Sequence, residues 1–180
     1  MKLKLGFALP EGGLTQPPEY AGQLDLLLVV DPRVPLALQH EKAKISSDYV
    51  DYENIRDILV APSGPYAIWT HDGRRHQKTY ITTLPNALKG FKDYEEASLA
   101  VEVTALYLQY PDLFDQLGIE APGSTTVYRV SDSGLDREVA TRLDALSGAC
   151  WFSKATGSSR INYAPLSRGK QIIELGRNHE

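Results

Sequence analysis

Residues 94–109 constrain the fold more than any other part of this chain. Leu99, Val103 and Leu106 recur at the three- and four-residue spacing that places apolar side chains on one face of a helix. Pro111 follows shortly after, and a proline there is typical of a helix end. The pattern predicts an amphipathic helix whose apolar face is covered by a sheet.

Short runs of strand-like composition, separated by turn signals, make up most of the remaining sequence. The apolar run Leu26–Val30 and the alternating run Tyr66–Thr70 are typical of strands. Residues 139–146 fit both a helix and a strand, and the Ser-Gly turn that follows favours a strand. The chain is therefore predicted to be a single α+β domain over residues 1–180. We expect a mostly antiparallel sheet, with the main helix (about 94–109) and short helices packed on one face.

Shorter elements are predicted from local signals. Further strands are expected at residues 3–9, 77–82, 125–130, 149–153 and 160–163. Short helices are expected at residues 36–41, 52–59, 85–90 and 113–117. The residues from 175 to 180 are expected to fray, because chain ends are commonly poorly ordered.

Composition limits the class of protein. Hydrophobic residues make up 42% of the chain and charged residues 23%, which is ordinary for a globular protein. The single cysteine, Cys150, excludes an internal disulfide framework, so a reducing, cytoplasmic location is expected. The net charge of −4 argues against nucleic acid as a partner. The longest apolar run is much shorter than the roughly 20 residues that cross a membrane.

The charges are segregated along the chain. Residues 73–92 contain five basic residues and no acid, whereas residues 93–123 contain seven acids and no lysine or arginine. Such segregation predicts a polarised surface that orients a partner. The leading hypothesis is therefore a non-catalytic binding or regulatory module, whose partner is another protein or a second copy of the chain.

The hexapeptide His71-Asp72-Gly73-Arg74-Arg75-His76 is the most polar stretch. One interpretation is a binding site at a hairpin tip, formed by His71, Asp72, Arg74, Arg75 and His76. The alternative is a solvated turn, in which Asp-Gly supplies the backbone geometry. Turn chemistry of this kind is common, so it favours the second interpretation.

Other residues have both a functional and a structural interpretation. Cys150 would need a nearby base to act as a nucleophile, and no histidine spacing indicates one, so a buried structural cysteine is predicted. Glu95 and Glu96 are predicted to cap the first turn of the main helix. Glu102 is predicted on its exposed flank.

Aromatic and basic residues alternate near the C-terminus. Trp151, Arg160 and Tyr163 would stack bases and neutralise phosphates if this segment bound single-stranded nucleic acid. An ordinary sheet with an apolar inner face and a charged outer face explains the same residues. The acidic total favours the sheet.

Several short motifs follow one another along the chain. They are Val-Val-Asp-Pro-Arg-Val-Pro (29–35), Gly-Pro-Tyr (64–66), Asp-Gly (72–73), Thr-Leu-Pro-Asn-Ala-Leu (83–88), Tyr-Pro-Asp-Leu (110–113) and Cys-Trp (150–151). In this order they resemble small bacterial domains of unknown function. The resemblance covers residues 24–165 and implies one domain, but no activity.

No phosphate loop, nucleophile motif or paired metal-ligand motif occurs in the sequence, so no cofactor and no metal are expected. An enzyme with a site near the Asp72 hairpin and Glu102 remains as an alternative to the binding module. It requires these groups to meet in one concave pocket.

Overall fold

The computed structural model describes residues 7–8, 13–47, 50–74, 88–114, 117–129, 136–146, 149–155 and 162–177. Within them the chain is mostly strand, with two α-helices, α1 (Leu36–Ala43) and α2 (Ala100–Gln109). The strands are β1 (Phe7–Ala8), β2 (Leu26–Val30), β3 (Ile45–Ser47), β4 (Arg56–Asp57), β5 (Tyr66–Thr70), β6 (Glu95–Ala97), β7 (Leu117–Arg129), β8 (Asp136–Leu146), β9 (Ala149–Lys154), β10 (Asn162–Pro165), β11 (Ser167–Gly169), β12 (Ile173–Glu174) and β13 (Gly176–Arg177). Short 3₁₀ helices are Pro18–Tyr20, Tyr52–Asn54 and Pro111–Phe114.

The larger sheet, sheet I, has the order β10-β7-β8-β9-β3, with β4 paired to β7. Its long strands β7, β8 and β9 are antiparallel neighbours, whereas β10 and β3 join the two edges in parallel. The register of β7 against β8 shifts between Ala121 and Thr125. Such an irregularity bends a strand, and β4 pairs with β7 at its C-terminal end, at Ser124 and Thr125.

The smaller sheet, sheet II, is built around β5. Strand β2 pairs with β5 along its whole length, and β11 and β12 follow one another along the opposite edge. Strand β6 continues the sheet beyond β11. All of the strand pairs in sheet II are antiparallel, and the sequence predicted a mostly antiparallel sheet. A separate two-stranded pair joins β1 to β13.

Helix α2 contacts strands of both sheets, namely β2 in sheet II and β7 and β8 in sheet I. Leu99, Val103 and Leu106 are buried, as their spacing predicts, and Val103 and Leu106 belong with strand residues to one hydrophobic core. In the part of the chain that the structure describes, neither helix is long and apolar enough to cross a membrane.

The main helix starts later than predicted. Residues 95–97 form strand β6, which pairs with β11, and the helix begins at Ala100. The predicted capping role of Glu95 and Glu96 is therefore wrong. Glu102 supplies the helix start instead, since its carboxylate accepts a hydrogen bond from the backbone N–H of Leu99 at 2.8 Å. Strand pairing outweighs local helix propensity here.

Two predicted short helices are also wrong in extent. Asp51 does cap a turn at Tyr52, but the helix predicted over 52–59 ends after one 3₁₀ turn, because β4 pairs with β7. The helix predicted over 113–117 is the 3₁₀ helix Pro111–Phe114, which ends before β7 begins. In both segments a tertiary strand pairing replaces the continuation of the helix.

Other predictions are confirmed. Strands occupy Leu26–Val30 and Tyr66–Thr70, and residues 139–146 lie in a strand. Helix α1 covers the expected residues 36–41. The strand predicted over 77–82 lies outside the described residues, as do most of the strand predicted over 3–9 and half of the helix predicted over 85–90.

The end of α2 is tied to β2 through side chains. The amide of Gln109 accepts a hydrogen bond from the N–H of Val29 at 3.2 Å and donates one to its carbonyl at 2.9 Å. The hydroxyl of Tyr110 donates to the carbonyl of Leu27 at 3.2 Å. These contacts lie on the side of β2 that faces away from β5, and they fix the helix against the strand.

Candidate functional site

A groove of about 390 Å³ lies between α1 and β4. One wall is drawn from residues 32–37 and the other from residues 52–61, while Ala100 and Val101 of α2 complete the lining. This volume falls within the roughly 300–1,000 Å³ typical of ligand sites. We call it the α1–β4 groove.

Exposed aliphatic side chains lie in or beside the chain segments that form the α1–β4 groove. Six large hydrophobic side chains are exposed in the part of the chain that the structure describes; one of them lines the groove, and three are neighbours in sequence of lining residues. These are Val34, Leu38, Ile58 and Val60, with exposed fractions of 37%, 41%, 46% and 93%. Single exposed aliphatics are ordinary, but a group around a concavity indicates a binding surface.

The carboxylate of Asp57 is held at the start of α2. Pairing of β4 with β7 sets Asp57 opposite Ser124, whose hydroxyl donates a hydrogen bond to Asp57. The same hydroxyl oxygen accepts the N–H of Ala100 at 2.7 Å. Ser124 therefore satisfies an N–H of the first helical turn and positions a carboxylate in the groove.

The charged side chains in the groove have one sign. Among the described lining residues, Glu53 and Asp57 carry charge and there is no lysine or arginine. Both residues are exposed, so they keep their contact with water. The lining of the groove is therefore mostly apolar, with two acidic side chains and no basic one among the described lining residues.

An ionic cluster with a buried centre lies at the start of α2. We call it the Glu102 cluster, and it consists of Tyr66, Glu96, Glu102 and Arg168. The Tyr66 hydroxyl donates to Glu102 at 2.9 Å. The guanidinium of Arg168 pairs with Glu102 at 3.0 Å and with Glu96 at 3.2 Å.

Burial determines the protonation behaviour of the Glu102 cluster. Glu102 is completely buried, and this desolvation raises its pKa from 4.5 to about 7, against the opposing effect of Arg168. Burial likewise raises the pKa of Tyr66 above its usual range. The prediction that Glu102 lies on an exposed flank is wrong, because the helix turns this side chain toward sheet II to reach Arg168.

A second buried polar cluster backs the groove wall. We call it the His40 cluster, and it consists of His40, Tyr52, Thr104 and Phe152. The His40 ring nitrogens lie 2.8 Å from the Tyr52 hydroxyl and 2.9 Å from the Thr104 hydroxyl. The Tyr52 ring stacks on Phe152 at 5.9 Å between centroids and also lines the groove.

The hydrogen bonds of the His40 cluster define its tautomer. The hydroxyl of Thr104 donates its hydrogen to the carbonyl of Ala100 at 2.9 Å, so it accepts from Nε2–H of His40. Nδ1 then accepts from the hydroxyl of Tyr52. Burial lowers the pKa of His40 from 6.5 to about 4, so the ring is neutral at pH 7.

The predicted polar hairpin site is only partly described. His71 is buried, and its ring nitrogens lie 3.0 Å from the N–H of Gly73 and 3.1 Å from the N–H of Ser167. Asp72 accepts from the N–H of Arg74 at 3.0 Å, as in an ordinary turn, and Gly73 has a φ of +79°. Neither His71 nor Asp72 lines the α1–β4 groove.

Arg75 and His76 lie outside the described residues, so a binding role for this hairpin stays a prediction. Glu102 enters the ionic cluster described above. No contact between Glu102 and Asp72 occurs among the hydrogen bonds and ion pairs of the described residues.

The aromatic and basic C-terminal residues are spread over several strands. Trp151 lies half-buried in β9, and Tyr163 lies in β10 with its backbone opposite Gly118. Arg160 lies outside the described residues. Arg168, a neighbouring cation, is buried in the Glu102 cluster, where it is not available to phosphates. Nucleic-acid binding by this segment stays a prediction.

Cys150 is buried, as predicted for a structural cysteine. Burial raises the pKa of its thiol to about 12, despite a hydrogen bond with Tyr107. A thiol that stays protonated is a poor nucleophile, so the chemistry of Cys150 fits a packing role.

Sequence reasoning missed Glu53 and Asp57. The helix predicted over 52–59 would have made both of them ordinary surface positions of that helix. A usable signal was the aliphatic run Ile58-Leu59-Val60 two residues before Pro62, because such a run in a turn-rich segment without helix or strand length indicates an exposed apolar loop.

Within the described residues, no group of three or more His, Cys, Asp or Glu side chains is placed to hold a metal ion. Comparisons of the chain with protein-family models, with curated proteins and with solved structures found no match.

Proposed function

We propose that the protein is a non-catalytic binding module that holds a partner in the α1–β4 groove. The observation that carries this proposal is the mostly apolar concavity of about 390 Å³, with the exposed Val34 in its lining and the exposed Leu38, Ile58 and Val60 next in sequence to lining residues. Removal of apolar surface from water favours association by roughly 25 cal/mol for each Å², from which the entropic costs of binding are subtracted. Val60 has the largest exposed fraction of these side chains, 93%.

The groove fits binding better than catalysis. Its charged residues are two exposed acids, and the neighbouring His40 is buried and neutral with both ring nitrogens in use. A general base must contact the reacting group, and His40 is not among the residues that line the groove. The charge segregation along the sequence gives the proposal little support, because three of the acids in residues 93–123 are buried and do not contribute to a polarised surface. These are Glu95, Glu102 and Glu120.

The proposal is tested by filling the groove. Ala37 is exposed and lines it, so Ala37→Trp should occupy the concavity without disturbing the core. Lys42→Trp places the same side chain on an exposed position of α1 outside the groove and is the matched control. The probe is a short fluorescent peptide of leucine and alanine with one central glutamine.

Fluorescence anisotropy should show binding to the wild type and to Lys42→Trp, and about tenfold weaker binding to Ala37→Trp. Backbone amide NMR signals of Val34, Val60 and Ala61 should shift on titration. Equal affinity in both tryptophan variants, or peptide binding that leaves these amides unmoved, would show that the groove is not the binding site. Absence of any binding to the wild type would also contradict the proposal.

A further inference from the structure

We infer that the α1–β4 groove takes an aliphatic segment of a partner protein that carries one lysine or arginine, with its cation held against Glu53 and Asp57. The inference rests on the proposed function and specifies the chemistry of the partner. Its basis is the combination of two carboxylates with an apolar lining in one concavity.

Among the described residues, neither carboxylate is part of an ion pair. Ion pairs in this part of the chain join Asp31, Glu96, Glu102 and Asp144 to arginines instead. Asp57 receives only the Ser124 hydroxyl, and Glu53 is exposed at the wall of the groove. A like-charged pair in a low-dielectric concavity attracts a cation more strongly than the same pair on a flat surface.

Charge complementarity also selects the sign of the partner. A segment bearing an acid would meet two carboxylates and no lysine or arginine among the described lining residues. Bringing like charges together during docking opposes binding and slows association. A lysine or arginine has the further advantage that its methylene stem packs on aliphatic groups while its head stays polar.

Exposed aliphatic side chains outside the cavity lining favour a partner segment over a small amine. Leu38, Ile58 and Val60 are exposed and are next in sequence to the lining residues Ala37, Asp57 and Ala61. A small molecule inside the cavity would leave these side chains in water. An extended peptide that crosses the groove covers them as well, with aliphatic side chains on either side of the cation.

The experiment compares peptides that differ only in the central residue. Leucine–alanine peptides with central lysine, glutamine or glutamate are titrated with the wild type by fluorescence anisotropy. The lysine peptide should bind on the order of tenfold more tightly than the glutamate peptide, with glutamine between them. Added salt should reduce this preference, because both carboxylates are exposed.

Variants of the groove assign the preference to its acids. Glu53→Gln should reduce the preference for lysine several-fold, and Glu53→Lys should reverse it toward glutamate. Asp57→Asn keeps an oxygen for the Ser124 hydroxyl while removing the charge, and it should also weaken lysine binding several-fold. Glu174→Gln removes one exposed charge from β12, outside the groove, and should leave the preference unchanged.

Each outcome separates this inference from the proposed function. Equal binding of the three peptides, still blocked by Ala37→Trp, would overturn the cation preference and leave the groove as a binding site. Failure of every peptide to bind would overturn both. If n-hexylammonium alone bound as tightly as the lysine peptide, the ligand would be a small amine, and the partner segment would be wrong.

Discussion

Glu102 and Thr104 lie two residues apart on helix α2, and both are completely buried, yet they belong to clusters of opposite character. Thr104 joins the His40 cluster, in which every member is neutral. Glu102 joins the cluster that contains the buried cation Arg168. The two clusters therefore show how one helix tolerates polar burial in two different ways.

The difference lies in the partners. Burial shifts both His40 and Glu102 toward their neutral forms, lowering the pKa of the first and raising that of the second. Only Glu102 has a cation next to it, which opposes the shift. A neutral cluster depends on hydrogen-bond geometry, whereas an ionic cluster also depends on the presence of both charges.

The largest expected effect is the loss of the cation. Arg168→Leu leaves Glu102 buried without its counter-ion, and we expect it to lower the free energy of unfolding by about 3–5 kcal/mol. Urea denaturation measures this value. The double variant Arg168→Leu/Glu102→Gln should recover a large part of the loss, because the buried carboxylate is then gone.

The matched control is Arg33→Leu, which removes the exposed pair between Arg33 and Asp31. We expect little change in stability, since exposed pairs are weak. If Arg168→Leu were as mild as this control, or if the double variant were no more stable than the single one, the ionic account of the Glu102 cluster would be wrong.

The two clusters should give opposite pH dependence. The folded pKa of His40 is about 4, below its ordinary 6.5, so its contribution to stability rises as the pH increases from about 4 to 6.5. The folded pKa of Glu102 is about 7, above its ordinary 4.5, so its contribution falls between about pH 4.5 and 7. Each change is about 3 kcal/mol at most, and the two largely offset one another in the wild type.

Urea denaturation across this pH range separates the two contributions. The free energy of unfolding of Glu102→Gln, minus that of the wild type, should rise as the pH increases. The same difference for His40→Gln should fall. If Glu102→Gln left the pH profile unchanged, Glu102 would be ionised throughout, and Arg168 would dominate over burial.

The smallest expected effects come from the two tyrosine hydroxyls. Tyr66 donates to a carboxylate, whereas Tyr52 donates to a neutral ring, and hydrogen bonds to charged groups are stronger. We expect Tyr66→Phe to cost about 2 kcal/mol and Tyr52→Phe about 1 kcal/mol. Thermal and urea unfolding of the pair test this order, and a larger cost for Tyr52→Phe would contradict it.

Periodicity in the sequence was enough to find the strands Leu26–Val30 and Tyr66–Thr70 and the apolar face of α2, because those patterns are local. It could not find where α2 begins. That boundary depends on the pairing of β6 with β11, more than 60 residues away in the chain. Local capping signals at Glu95 and Glu96 were outweighed by this long-range pairing.

The groove and both clusters were beyond prediction for a similar reason. Arg168 meets Glu102, and His40 meets Thr104, only after the sheets and helices have assembled. No local pattern distinguishes these residues from ordinary surface positions, and buried charges are rare enough that an exposed flank is the better guess for a lone glutamate. The position of Asp57 was missed because the sequence predicted a helix over residues 52–59, whereas Asp57 lies in a strand that pairs with β7.

The double hydrogen bond between Gln109 and Val29 has a consequence for self-association. A strand edge with unsatisfied backbone groups is a template for polymerisation with other chains. At Val29 both groups are occupied by a helix side chain, so an incoming strand would have to displace Gln109 before it could extend the sheet. This protection of the β2 edge depends on the docking of α2. Any event that loosens the helix therefore exposes the edge and makes the chain prone to aggregate.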